Sequence, residues 1–505
     1  MNVPGPTKAG RREWIGLAVL TLPLLVLALD VSVLFLAAPR LGADLRPSST
    51  ELLWIMDIYG FLIAGFLITM GTLGDRIGRR RLLVIGAVAF AAASLLAAYA
   101  GSPAMLIAAR AVLGIAGATL MPSTLALIST MFQDPAQRGV AIAVWMTTFS
   151  AGIAVGPIVG GAMLENLWWG SVFLLGVPVM VLLAVLAPRL LPEHRDPGAG
   201  RLDLVSVALS LATILPIVYG LKEIAGTGLH WPSVLAIAAG LLFGVLFVRR
   251  QRTLPDPLVD LRLFGDRAFR AGLALLLLGI LAINGVNFLF PQFLQLVEGL
   301  SPLHAGLWMI PIALASIVAS MAAPFLARRV RPAYVIAGGA VLSILGFLLV
   351  TQVQSVGGLA LLVAAGVVVI IGLSPMGVLS TDLVVGAAPP EKAGSAAAIS
   401  ETSGEFGVGL GVAVIGSVAA AAYRGEMADA DLPPEVAVAG RESLNSAVAA
   451  AEQLPPALRG ELLEPAREAF TTGLNLAGAV GAVLLAGLAL VAATFLRHVR
   501  ATGES

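Results

Sequence analysis

Apolar residues dominate fourteen stretches of the chain, at roughly 14–38, 52–74, 82–100, 104–129, 139–163, 170–188, 203–221, 233–248, 269–293, 303–326, 333–351, 357–386, 393–421 and 474–496. About 20 such residues cross a hydrocarbon core of ~30 Å as a helix. The runs are continuous rather than alternating, so they predict helices and not barrel strands. The first run follows Lys8, Arg11 and Arg12, is too long for the apolar region of a signal peptide, and is followed by no small-residue cleavage site. It is read as a retained span. The pattern predicts an all-α polytopic membrane protein.

Composition narrows the function. Of 505 residues, 58% are hydrophobic and 12% charged, against about 25% charged in soluble domains. That excludes a soluble enzyme, and the apolar content excludes disorder. The net charge of +1 leaves no basic surface for nucleic acid. Cysteine is absent, so disulfides and thiolate chemistry are absent too. His194, His230, His304 and His498 form no ligand cluster, so neither metal nor cofactor is implied. No phosphate-cradling GxxxxGK[ST] run occurs, which leaves an ion gradient as the energy source. Of the 31 basic residues, 23 fall on the side of the N-terminus, seven on the other, and Arg110 lies inside a span. The positive-inside rule places both termini in the cytoplasm of a cell membrane. Lys-poor, Ala-, Gly- and Arg-rich usage points to a high-GC bacterial source.

Ionisable residues within spans are functional candidates because insertion costs roughly 2.5–3.5 kcal/mol each. They are Asp30, Asp57, Arg110, Asp382, Glu401 and Glu405. Glu401 and Glu405 are one helical turn apart, and two buried like charges that close resist ionising together. This suits proton loading and release. Asp57 and Asp382 lie near span ends, where snorkelling to the headgroups is an alternative. Arg110 is read as a structural partner for a buried acid, as tuning protonation, or both.

Several motifs fall in a known order. Gly71 to Arg81 reads GTLGDRIGRRR and resembles the GxLxDRxGRR loop between spans two and three of the major facilitator superfamily. Its informative positions are Gly71, Gly74, Asp75, Arg76, Gly78 and Arg79. Arg110 to Gly117, RAVLGIAG, resembles the RxxxGxxG run of span four, with Gly114 as its first glycine. Gly152 to Gly161, GIAVGPIVGG, resembles the antiporter motif of span five. There Gly152, Gly156 and Gly160 make one smooth face, Pro157 permits a kink, and Gly161 closes the run. Leu29 to Pro39, LDVSVLFLAAP, is similar to the first span of fourteen-span drug:proton antiporters, departing at Ser32, Leu34 and Phe35. The acids of WIMDIY (54–59) and ETSGEFG (401–407) resemble the QacA- and SmvA-like branch, which exports quaternary ammonium compounds and dyes.

The resemblance implies a major facilitator fold: two six-helix bundles, 1–190 and 267–505, around an inserted pair at 191–266. The basic run 325–332 reads as a decayed copy of the 71–81 loop. A proline-punctuated acidic loop, about 423–470, is expected outside, with two short surface helices; it is either a connector or a lid. The implied function is proton-coupled export of lipophilic mono- and dications by alternating access. The alternative is export of an endogenous metabolite, lipid or antibiotic. Protons, small lipophilic cations and membrane lipid are the expected partners, and the chain is read as a monomer. Cavity candidates, chosen for aromatic faces and buried amides, are Trp54, Tyr59, Trp145, Phe149, Asn284, Asn287, Phe288 and Gln292.

Overall fold

The computed structural model describes residues 8–495 apart from 48, 194, 196–202, 228, 256, 431–439, 442 and 453. His194, Arg201, Pro433, Pro434, Arg497, His498 and Arg500 therefore lie outside the described residues, as does the side chain of Pro157. Among the described residues, fourteen helices are long and apolar enough to cross a membrane. They are α1 (Arg11–Leu45), α2 (Ser49–Ile77), α3 (Arg79–Ala98), α4 (Pro103–Met131), α5 (Pro135–Asn166), α6 (Gly176–Leu190, which spans together with the turn Ser171–Leu174 before it), α7 (Leu204–Thr227), α8 (Trp231–Thr253), α9 (Arg267–Gln292), α10 (Pro302–Arg329), α11 (Pro332–Val350), α12 (Leu359–Gly386), α13 (Ala393–Asp429) and α14 (Pro456–Phe495). No strand occurs among the described residues.

The helix starts follow from local chemistry. Ser102, Asp134, Asp266 and Ser301 each accept a hydrogen bond from a backbone N–H three residues on. In three of these a proline occupies the first helical position, where no donor is needed. Between α2 and α3 the chain breaks at Gly78, whose φ of 112° suits glycine and few other residues.

Two groups of six helices form. In the first, α1 packs on α5, α2 and α3 on α4, and α6 on α3; in the second, α9 packs on α13, α10 and α11 on α12, and α14 on α11. The groups meet where α2 and α4 touch α13 and where α5 touches α10. Gly285 of α9 lets the helices close: a Cβ there would lie 2.8 Å from the Gly411 carbonyl of α13. The end of the molecule carrying Arg79, Arg138, Arg328 and Lys392 is termed the basic face, and the opposite end the far face.

Helices α7 and α8 pair with each other, and α7 rests on both α2 and α13 at the seam between the groups. Their basic-face ends are braced by Asp203, which accepts two hydrogen bonds from Arg250, 2.7 and 3.1 Å, and one from Ser206, 2.7 Å. Gln251 reaches Ser206 at 2.8 Å and accepts from the Leu258 N–H at 2.7 Å. Thr72 of α2 then donates to the Leu258 carbonyl at 2.8 Å.

The structure differs from the sequence reading at 423–470. Helix α13 continues to Asp429 and α14 begins at Pro456, with a single short helix, Leu444–Glu452, described between them. These extensions are built largely from helix formers, Ala, Leu, Glu and Arg. A hydropathy threshold stops where the lipid stops, but helix formation continues. Tyr423 donates to the Gly440 carbonyl at 2.7 Å, and Arg467 to the Leu296 carbonyl at 3.1 Å, so the segment is packed down.

The Arg250 guanidinium, helped by the Ser206 hydroxyl, holds the Asp203 carboxyl well below the usual carboxylate range. A depressed folded-state pKa adds stability above the unfolded value of about 4 and loses it as pH falls through the folded value. Asp203→Asn therefore melts below the wild type at pH 7 in detergent, and the difference shrinks as the pH is lowered below about 4. A difference that stays constant with pH would remove the electrostatic account of this brace.

Candidate transport cavity and its charged residues

Where the two groups meet lies a cavity of about 320 Å³. One wall, from α4 and α5, presents Met121, Trp145, Met146, Phe149 and Ser150; the other, from α9, α10, α12 and α13, presents Ile280, Ile283, Ser316, Ser320, Ser374, Met376, Thr381, Glu401 and Glu405 among others. The Trp145 indole is fixed by donating to the Thr124 hydroxyl at 3.0 Å. Gly404 and Gly279 line it as well, and a Cβ on Gly279 would collide with Met376. Among the described residues neither glutamate is hydrogen-bonded or ion-paired to a basic side chain.

The other acids singled out within the spans are each paired with a base. Asp30 of α1 accepts from Arg110 at 3.1 Å, with side-chain exposures of 9% and 2%. Arg110 also donates to the Ile55 carbonyl at 2.6 Å and stacks 4.9 Å from the Tyr59 ring centre. Close packing builds this cluster. A Cβ on Gly114 would sit 2.6 Å from the Tyr59 carbonyl, and one on Gly152 2.6 Å from Ala28 Cβ. A Cβ on Gly160 would sit 2.5 Å from Val33. Gly156 is buried on the same stripe, while Gly161 has open space beside it. The stripe brings α1 against α5, and Gly114 brings α4 against α2, so Asp30 and Arg110 meet. Removing either partner would strand a buried charge, at about 3–5 kcal/mol.

At the basic face, side chains tie the two groups together. Asp75 accepts from Gly394 N–H at 3.0 Å and Ser395 N–H at 2.8 Å, sitting on the N-terminus of α13, where the helix dipole favours an anion. Arg79 donates to Asp75 at 3.0 Å, to Ala126 and Thr130 on α4, and to the Pro390 carbonyl across the seam. Gly71 allows the approach: a Cβ there would lie 2.6 Å from the Gly394 carbonyl. Gly74 is tight against Leu82, 3.2 Å from such a Cβ, and half-buried Arg76 lies beside it. Arg138 of α5 pairs with Asp382 of α12 at 2.6 Å, and Arg328 of α10 reaches the Ala136 carbonyl at 3.4 Å.

The sequence candidates thus separate. Glu401, Glu405, Trp145 and Phe149 come together in the cavity. Asp382 is placed in an inter-group ion pair at the basic face, and Asp57 pairs with Lys222 of α7. Trp54 and Phe288 are exposed and away from this cavity, and Tyr59 is buried under Arg110. Asn284 bonds its own helix at the Ile280 carbonyl, Asn287 faces a separate small void, and half-buried Gln292 accepts from Asn445. Sequence reasoning missed Met121, Met146, Ser316, Ser320 and Ser374. Small hydroxyls and methionines are common on any span, and only the meeting of α10 with α12, where Ser316 lies 3.1 Å from Ser374, singles them out.

The Major Facilitator Superfamily model matches residues 20–412. The chain belongs to this superfamily. It is a membrane transporter, and no enzyme. It is 44% identical over 498 residues to the multidrug efflux pump LfrA of Mycolicibacterium smegmatis, covering 98% of this chain and 99% of that one. It is 35% identical over 492 residues to the methyl viologen resistance protein SmvA of Salmonella typhimurium, covering 94% and 98%. Among solved structures it resembles a bacterial homolog of the human lysosomal transporter Spinster, with a TM-score of 0.58 and 17% identity over 97% of this chain and 98% of that chain. That last likeness speaks to the fold alone.

The basic-face contacts make a direct prediction. A buried charge-assisted hydrogen bond is worth roughly 1.5–3 kcal/mol, so Asp75→Asn weakens the contact between the two groups at the basic face about tenfold or more. The chain has no cysteine, so a pair introduced at Ala136 and Arg328 is unique. A short bifunctional maleimide joins it efficiently in the parent and several-fold less in the Asp75→Asn background. Equal cross-linking in both would show that Asp75 does not hold this face shut.

Proposed function

We propose that the protein is a proton-coupled multidrug exporter that expels lipophilic mono- and dications, quaternary ammonium biocides and dyes among them, by alternating access. One observation carries the reading: two acids, Glu401 and Glu405, face a cavity lined by tryptophan, phenylalanine and methionine, and among the described residues no basic side chain is paired to them. An unpaired carboxylate in such surroundings is stabilised by a proton or by a soft organic cation, through charge and cation–π attraction. Proton and drug therefore compete for the same two groups, and competition alone suffices for coupling. The similarity to LfrA, a multidrug efflux pump, supports drug export, and that to SmvA, a methyl viologen resistance protein, supports a cationic substrate.

The basic face is cytoplasmic in this reading, with both termini there. In the same reading the bundles are 1–190 and 267–505, with 191–266 inserted, and the inter-bundle bonds at the basic face support assigning this state as the outward-facing one. In this state protons reach Glu401 and Glu405 and the cation leaves. Reorientation requires Asp75 to leave the N-terminus of α13 and Arg138 to part from Asp382. Facing inward, the glutamates give up their protons and take the next cation. Asp30 supports the cycle as a second protonation site: its neutralisation releases Arg110, whose remaining bonds are all to α2.

The test is ethidium and methyl viologen flux in proteoliposomes with an imposed pH gradient. Gradient-driven flux that a protonophore abolishes is expected, and Glu401→Gln or Glu405→Gln lowers it at least about tenfold while leaving the protein folded. Flux indifferent to the gradient, or untouched in the Glu401→Gln/Glu405→Gln double variant, rules the mechanism out.

A further inference from the structure

Among the described residues, the Asp57–Lys222 pair is the one intramembrane ion pair that joins the inserted helices to a bundle. Lys222 Nζ lies 2.5 Å from Asp57 Oδ1 and 4.7 Å from the Phe61 ring centre. A carboxylate and an aromatic face around an ammonium group are the two elements of an organic-cation site, and here a side chain of the protein itself fills it. Unlike Asp30–Arg110, this pair is open: the two side chains are 38% and 39% exposed. It lies near the far-face ends of α2 and α7, where the cavity would discharge. It also adjoins the cavity acids. Lys222 is within Coulombic reach of Glu405, and a Cβ on Gly409, one turn past Glu405, would lie 3.4 Å from Leu221. Lysine on a four-carbon stem suits this place, being a compact charge that can swing away without unfolding its helix.

We propose that Asp57 with Phe61 forms a cation subsite at the far-face mouth of the cavity, and that Lys222 is its resident, tethered cation. The subsite receives the second charged group of a dicationic substrate whose first charge lies at Glu401 and Glu405, and Lys222 moves aside to admit it. On export, Lys222 returns to Asp57 and displaces that group toward the far face. Monocations engage the glutamates alone and leave Lys222 in place. The inserted pair thereby has a role in discriminating substrates by charge. The proposal rests on the cationic-substrate reading above.

Ethidium and propidium share one ring system and differ by a second positive charge, so their binding to purified protein in detergent tests the idea. The parent binds ethidium. In Lys222→Gln the propidium-to-ethidium affinity ratio rises about threefold to fivefold, the worth of a half-exposed charge pair. Lys222→Arg keeps the parental ratio, and Asp57→Asn or Lys222→Gln/Asp57→Asn shows no rise. If Lys222 only anchors α7, Lys222→Gln weakens both dyes alike and the ratio is unchanged, which overturns the subsite while leaving the exporter reading intact. Absence of ethidium binding by the parent overturns both.

Discussion

A charge in hydrocarbon must be matched, and the arrangement of this protein follows from how each one is matched. Four buried or half-buried carboxylates have found a partner of opposite charge. Asp30 has Arg110 within one bundle, Asp75 has Arg79 and a helix N-terminus, Asp382 has Arg138 across the seam, and Asp57 has Lys222 on the inserted pair. These pairs do different things because their partners lie on different bodies. Pairs within one group of six fix its helices to one another, whereas Arg138–Asp382 fastens the two groups together at the basic face. Of the acids singled out within the spans, Glu401 and Glu405 alone line the cavity between the two groups.

The glycines and the charges act together. Helices carrying acids meet closely only where side chains are absent, as at Gly71 against Gly394, Gly114 against Tyr59, and Gly152 against Ala28. Each close approach sits within a turn or so of one of the charged groups it brings to its partner. Dispersion and a few strong polar contacts thus do in lipid what burial from water does in a soluble core, since lipid offers no hydrophobic reason for helices to associate.

Much of this was legible in the sequence, for a physical reason. A slab of fixed thickness imposes a minimum apolar length, so fourteen spans stand out, and an acid inside one is conspicuous against its neighbours. Partners are another matter. Arg138 and Asp382 are 244 positions apart, and nothing local to either marks the bond between them. Aromatics mislead because lipid and cavity reward them alike: Trp145 lines the cavity while Trp54 and Phe288 do not. The hydroxyl wall of Ser316 and Ser374 was invisible, as was the continuation of α14 back to Pro456, where helix propensity operates without a hydropathy signal.

Helix α13 is a single proline-free rod of 37 residues, about 55 Å long at 1.5 Å per residue. Its short arm, from the Asp75 seat to Glu401, spans about 10 Å, and its long arm, from Glu405 to Asp429, about 36 Å. A body pivoting near its own charges with arms of that ratio multiplies displacement roughly threefold or more. A tilt of such a rod that shifts its Asp75 seat by about 1 Å shifts its Asp429 end several times as far, so a label at Asp429 reads a tilt that one beside Glu401 does not.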